Sequence, residues 1–291
     1  TQTTTAPSLL GHNRDGSDYH LNLKPENIGH NIILDGDQNR VPKVSKHFEV
    51  IEFETQVREF RTVTGIFKGK RISVISTGIG PDNIDIVMNE LDALVNIDLK
   101  TRTIKKEHTA LNIVRIGTSG SLQREIPVDS FVLAKYGLGF DGVLHSYKSE
   151  DLFESDIEDA FIKHTNWSVN KSRPYVVKGS TKLLEKLKSK RVHIGVTATA
   201  IGFYGPQGRV LRLEVQDPKL NKKIDNFNYN DLTITNMEME TSAIYGLAKL
   251  LGHEALSMNA IIANRAALTY SSDQYKTIES LIEYTLEKLC L

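Results

Sequence analysis

Short runs of β-branched and aliphatic residues recur along this chain, separated by longer amphipathic stretches. That alternation limits the folds open to it. The runs fall at 31–34, 71–76, 112–116, 131–134, 193–197, 232–235 and 255–263. Most are apolar throughout, the pattern of strands covered on both faces of a sheet. Three stretches carry apolar residues at helical spacing. The first, 82–95, follows Pro81 and aligns Ile86, Val87, Leu91, Leu94 and Val95. The second, 239–251, aligns Ala243, Ile244, Leu247, Leu250 and Leu251 and closes at Gly252. The third, 273–289, aligns Ile278, Leu281, Ile282, Leu286 and Leu289 behind a cap at Ser272 or Asp273. The pattern predicts a single three-layer α/β/α domain with a central mixed β-sheet over 19–291. Residues 1–18 are polar and are expected to form a flexible tail.

Composition narrows the function. Basic and acidic residues balance at 36 each. Nucleic-acid binding through phosphates favours a basic surplus, so no nucleic-acid partner is expected. No apolar run approaches bilayer length, so no membrane partner is expected. The first residues lack the basic start and apolar centre of a signal peptide. The one cysteine, Cys290, rules out an internal disulfide framework and suits the cytoplasm. The charge-rich stretches 100–108 and 149–174 read as solvated insertions.

Several familiar sites are missing from the sequence. There is no His-Glu-x-x-His and no cysteine pair, so no metal is expected. There is no Gly-x-Ser-x-Gly elbow and no full P-loop. Gly78-Ile79-Gly80 lacks the third glycine of a dinucleotide fingerprint.

Four stretches carry candidate chemistry. Leu34-Asp35-Gly36-Asp37-Gln38-Asn39-Arg40 follows a strand; a glycine turn with a nearby arginine makes an anion cradle or an ordinary surface turn. Asp35 adds a negative charge there. Arg115-Ile116-Gly117-Thr118-Ser119-Gly120-Ser121 places an arginine on a buried strand before a run of hydroxyl and N–H donors. That set suits a phosphate oxyanion, or Arg115 pairs with a structural carboxylate. Asn236-Met237-Glu238-Met239-Glu240-Thr241 offers carboxylates that accept from vicinal sugar hydroxyls, over an adaptable methionine floor. Acidic residues near a helix start also suit the helix dipole. Gly202-Phe203-Tyr204-Gly205-Pro206-Gln207-Gly208-Arg209 presents an amide and a guanidinium side by side. Together they match the carbonyl, N–H, carbonyl edge of uracil, with Phe203 packed on the base or sugar; a solvated turn is the plain alternative.

Taken in order, these motifs resemble the nucleoside phosphorylase family, in its uridine phosphorylase branch. The most specific pieces are 76–80, 115–120, the Gln207-Gly208-Arg209 loop and 238–241. The resemblance implies phosphorolysis of uridine, or another pyrimidine nucleoside, to uracil and ribose 1-phosphate in pyrimidine salvage. Inorganic phosphate is the co-substrate and no cofactor is needed. By resemblance, Gly36, Arg40, Arg115 and Thr118 hold phosphate, and Arg58 reaches it from a neighbouring subunit. Glu238, Met239 and Glu240 hold ribose, and His20 contacts its 5′-hydroxyl from the neighbour. Phe203, Gln207, Arg209, Arg265 and Ile262 form the base site, and Arg115, Gln207 and Arg209 carry the catalytic charge stabilisation. The resemblance therefore implies a homo-oligomer, with a dimer as the smallest active unit and a hexamer as the full assembly. Glu59 matches a ligand of the potassium ion that some relatives bind between subunits. Purine-specific members carry Ser-Asp after the late strand, where the corresponding stretch of this chain is Ala263-Asn264-Arg265. A purine phosphorylase, a nucleosidase and a non-catalytic nucleoside-binding protein are the competing expectations.

Overall fold

A computed structural model describes residues 4–291. Its strands are β1 (Asn31–Asp35), β2 (Val50–Val57), β3 (Phe60–Phe67), β4 (Lys70–Ser76), β5 (Ile97–Asp98), β6 (Thr103–Ile104) and β7 (Asn112–Ser121), then β8 (Phe131–Gly139), β9 (Tyr175–Lys178), β10 (Val192–Thr199), β11 (Asn228–Tyr229), β12 (Leu232–Glu238), β13 (Glu254–Asn264) and β14 (Thr269–Tyr270). The helices are α1 (Val41–Ser45), α2 (Pro81–Asn96), α3 (Ser155–Thr165), α4 (Thr181–Leu187), α5 (Leu220–Asp225), α6 (Thr241–Leu251) and α7 (Gln274–Cys290). The fold is the mixed α/β class expected.

The main sheet runs β11-β12-β10-β8-β13-β7-β1-β4-β3-β2. Strands β4, β1, β7 and β13 are parallel neighbours, as are β8, β10 and β12. β12 also pairs antiparallel with β7, through Asn236 opposite Ser121 and Met237 opposite Gly120. That contact closes β7, β13, β8, β10 and β12 into a ring, a curvature that apolar runs alone do not reveal. Every expected strand and helix is present, most of them longer than expected. β7, β8 and β12 run on past their apolar stretches, through residues 117–121, 135–139 and 236–238.

Local chemistry fixes the helix ends. Pro81 opens α2, where its missing N–H costs nothing. The Asp273 carboxylate caps α7 by accepting from Lys276 N–H at 3.1 Å. Gly252, at φ +81°, closes α6. Apolar faces of α2, α6 and α7 join strand side chains such as Ile33, Val74, Val114 and Leu256 in the main core.

Two regions differ from the sequence expectation. The stretch 149–174 is not simply a solvated insertion, for it contains α3, and Phe161 on that helix is fully buried. Phe161 stacks with Phe140 at 5.6 Å between ring centres, and Trp167 sits 4.8 Å from Phe140. These rings belong to a second core cluster with Val176, Val196 and Ile234. Charged residues dominate the outer face of α3 and hide that inner stripe. Residues 4–18, expected as a flexible tail, lie against the domain. Arg102 donates to the carbonyls of Thr5, Ala6 and Leu10, and Asp18 accepts from the Leu23 N–H at 2.6 Å. Among the described residues, no helix is long and apolar enough to cross a membrane.

Candidate active site

The carboxyl ends of parallel strands are where open α/β sheets place ligands, and here several such ends converge. β1 ends at Asp35, β7 runs through Arg115 to Ser121, β12 ends at Glu238, and β13 ends at Asn264. They surround a cavity of about 790 Å³. Its lining includes Gly36, Arg40, Arg115, Thr118, Phe203, Gln207, Arg209, Glu238, Met239, Glu240, Ile262 and Arg265, so twelve of the fourteen expected site residues share one chamber.

At one end, Arg115 lies buried on β7. Gly117 makes room for it: a side chain there would strike the Arg115 guanidinium. Arg115 Nη2 lies 3.5 Å from carboxylate oxygens of both Glu238 and Glu240. Burial opposes its charge, but Glu240, Glu238 and Asp35 outweigh burial and raise its pKa. Arg40, at the N-cap of α1, donates through Nη1 to Asp35 Oδ1 at 2.8 Å. Arg115 is thus paired with carboxylates, one of its two expected roles, and it also lines the cavity.

The two glutamates differ. Glu238 accepts from the N–H groups of Glu240 and Thr241 at the start of α6, and from Thr199 Oγ1 at 2.8 Å. Its carboxylate is largely committed to capping that helix. Glu240 makes no such side-chain cap, and burial, with Glu238 nearby, pushes its pKa up to about 7 against the pull of Arg115. The N–H groups of Met239 and Gly80 also act on the Glu240 carboxylate, and both glutamates line the cavity.

At the other end, Gln207 is buried on a short turn whose Gly208 has φ +70°. Arg209 Nη1 donates to Gln207 Oε1 at 2.6 Å and to the Phe203 carbonyl at 2.8 Å. The Arg209 guanidinium lies 3.9 Å over the Phe203 ring. Burial and the nearby Arg265 lower the pKa of Arg209. Arg265 has a buried Nη1 without a hydrogen-bond partner. A bulge in β13 between Ile261 and Ala263 turns Ile262 onto the cavity wall.

Two expected residues lie outside the chamber. Arg58, exposed at the tip of the β2–β3 hairpin, lines a neighbouring depression with Gly36, Asp37 and Glu59. His20 lines a separate cleft, where its Nδ1 sits 2.6 Å from Glu90 Oε2. Sequence reasoning passed over Ile79, Tyr270 and Gln274, which also line the main chamber. Ile79 comes from a loop, Tyr270 from the two-residue strand β14 and Gln274 from the first position of α7, so no periodicity marks them.

Among the described residues, two groups bring three metal-ligand atoms together: Asp92, His108 and His253, and His47, Glu279 and Glu283. In the first, His253 Nδ1 accepts from the Leu111 N–H, which leaves its proton on Nε2 facing Asp92 at 2.8 Å. A metal at Nε2 would displace that proton and break the backbone bond. In the second, Lys46 and His47 already pair with Glu279.

Comparison with known proteins agrees with this geometry. Residues 31–284 match the family model described as the phosphorylase superfamily. The uridine phosphorylase of Thermococcus kodakarensis is 31% identical over 260 residues, covering 86% of this chain and 79% of that protein. A DeoD-type purine nucleoside phosphorylase of Thermoanaerobacter sp. is 26% identical, covering 92% and 97%. A solved Trypanosoma brucei nucleoside phosphorylase, described as showing uridine phosphorylase activity, superposes with a TM-score of 0.86 at 28% identity, over 96% of this chain and 99% of that one. With a matching family model over most of its length and a cavity built from the family's motifs, this chain belongs to the phosphorylase superfamily.

Proposed function

We propose that this protein is a uridine phosphorylase, cleaving uridine with inorganic phosphate to uracil and ribose 1-phosphate. One observation carries the reading: a single chamber has Arg40 and Arg115 at one end, Met239 and Glu240 in the middle, and Gln207 paired with Arg209 at the other. That order matches phosphate, sugar and pyrimidine laid end to end.

The mechanism follows from the charges. A phosphate oxygen attacks C1′ as the C1′–N1 bond breaks, and the bonding pair leaves with uracil. Arg40, Arg115, the Gly36 turn and Thr118 position the anion. Glu240 accepts from the ribose hydroxyls over Met239, while Glu238 holds the start of α6 and orients Arg115. Gln207 and Arg209 stabilise the negative charge that grows on uracil, and their mutual hydrogen bond sets them before substrate arrives. No side chain acts as a nucleophile. No cofactor takes part.

Arg58 and His20 line neighbouring depressions and not this chamber, which supports their service to a neighbour's site and a dimer as the smallest active unit. Exposed Tyr204, Val210, Leu211 and Leu213 beside the base end offer apolar surface for that contact. A hexamer built from such dimers, a cytoplasmic location and a role in pyrimidine salvage complete the reading.

A pyrimidine is favoured over a purine by the stretch Ala263-Asn264-Arg265, which offers no acid where purine-specific relatives carry Ser-Asp. Asn264 is buried and donates to the carbonyls of Gln123 and Ile126, and Arg265 lines the base end of the chamber. The test is base release from uridine, thymidine, inosine and adenosine in phosphate buffer. Release of uracil from uridine supports the proposal; purine release alone refutes the base assignment.

A further inference from the structure

Asp35 ends β1 and is fully buried. Its Oδ1 accepts from Arg40 Nη1 at 2.8 Å and from the Asp37 N–H at 2.9 Å. Its Oδ2 is buried with no hydrogen-bond partner. Three charged groups act on it: Arg40 from the N-cap of α1, Asp37 from the loop after β1, and Arg115 from β7. Beyond Arg115 stand Glu238 and Glu240, each 3.5 Å from that guanidinium. Within one chain, the phosphate end therefore sets two guanidinium groups against the carboxyl groups of Asp35, Asp37, Glu238 and Glu240.

A phosphate dianion entering this cluster adds negative charge beside carboxylates that already share the two cations. Like charges in one site cannot all stay ionised. One of the carboxyl groups should gain a proton, and the geometry selects which. Asp35 competes directly for Arg40, and its second oxygen has no donor at all. An unpartnered buried oxygen gains most from a proton.

We propose that phosphate binding is coupled to uptake of one proton by Asp35, at Oδ2. The proposal rests on the phosphorylase reading. The proton comes from solvent and no phosphate bond changes. Neutral Asp35 keeps Oδ1 as an acceptor for Arg40 and the Asp37 N–H, so Arg40 stays in place. Its charge, no longer offset by a carboxylate, then acts on the phosphate. Asp35 is a positioning residue in this account, acting through Arg40. Burial already raises its pKa to about 6, so a nearby anion needs to lift it only modestly to reach neutrality.

The experiment is calorimetric titration of inorganic phosphate into the intact protein at pH 7, in buffers of differing ionisation enthalpy. The buffer dependence of the heat counts protons taken up. The phosphate's own proton enters equally for every variant, so the comparison with Asp35→Asn isolates this residue. The wild type should take up about one proton more than Asp35→Asn. Asp35→Ser makes the same comparison if the amide variant does not fold. Equal uptake in the wild type and a folded variant overturns the proposal and leaves the phosphorylase reading standing. Failure of phosphate to bind the wild type overturns both.

Discussion

Arg209 and Gln207 are bonded to each other, Nη1 to Oε1 at 2.6 Å, in the wall of the chamber. The amide and guanidinium that would read a pyrimidine edge are thus held by their own chain. A charge-assisted hydrogen bond contributes about 1.5–3 kcal/mol. Arg209→Ala should therefore lower kcat/KM for uridine by roughly tenfold to a hundredfold or more. Steady-state kinetics on the purified variant check this, and an unchanged value would mean that the loop does not touch the base.

The protonation of Glu240 sets a pH dependence. Burial raises its pKa to about 7 in the folded protein, above the ordinary carboxylate value of 4.5. Protonation removes acceptor capacity for the ribose hydroxyls. Activity on the nucleoside should then fall as pH drops through about 7, and Glu240→Gln should lack that inflection. The stability effect has the opposite sign. A raised carboxylate pKa means that its contribution to stability is full below about 4.5 and is lost as pH rises through about 7. A pH profile of kcat/KM together with calorimetric melting of both proteins separates the two effects.

The α3 segment should be structural. Phe161 is fully buried between Phe140 and Phe227. Phe161→Ala should cost about 3–5 kcal/mol of stability. Chemical denaturation measures it; a loss below about 1 kcal/mol would return this stretch to the role of a solvated insertion.

Subunit complementation tests the placement of Arg58. If it serves a neighbour's chamber, Arg58→Ala and Arg209→Ala proteins should each be weak alone. Unfolded together and refolded as a mixture, they should recover roughly a quarter of wild-type sites, because half the dimers are mixed and each of those holds one intact site. No recovery would place both residues in a site of one chain.

Much of this arrangement was legible in the sequence. Buried strands announce themselves through runs such as 31–34 and 255–263, and α2, α6 and α7 through their stripes. The β2–β3 hairpin was missed because its first strand alternates charged residues such as Glu52 and Glu54 over an exposed face. The closure of the ring through Asn236 and Ser121 is a long-range pairing with no local signature. Arg115 stands out as an arginine on a buried strand, and Gln207 and Arg209 as an amide and a guanidinium side by side in one turn. The division of labour between Glu238 and Glu240 was invisible, since it depends on which carboxylate faces the N–H groups of α6.

The central claim is that phosphate is the nucleophile and uridine the substrate. The most direct measurement is release of uracil from uridine with and without inorganic phosphate, with the sugar product identified. The account predicts uracil only in the presence of phosphate, in equal amount with ribose 1-phosphate. Uracil and free ribose formed without phosphate would contradict it and make the protein a nucleosidase.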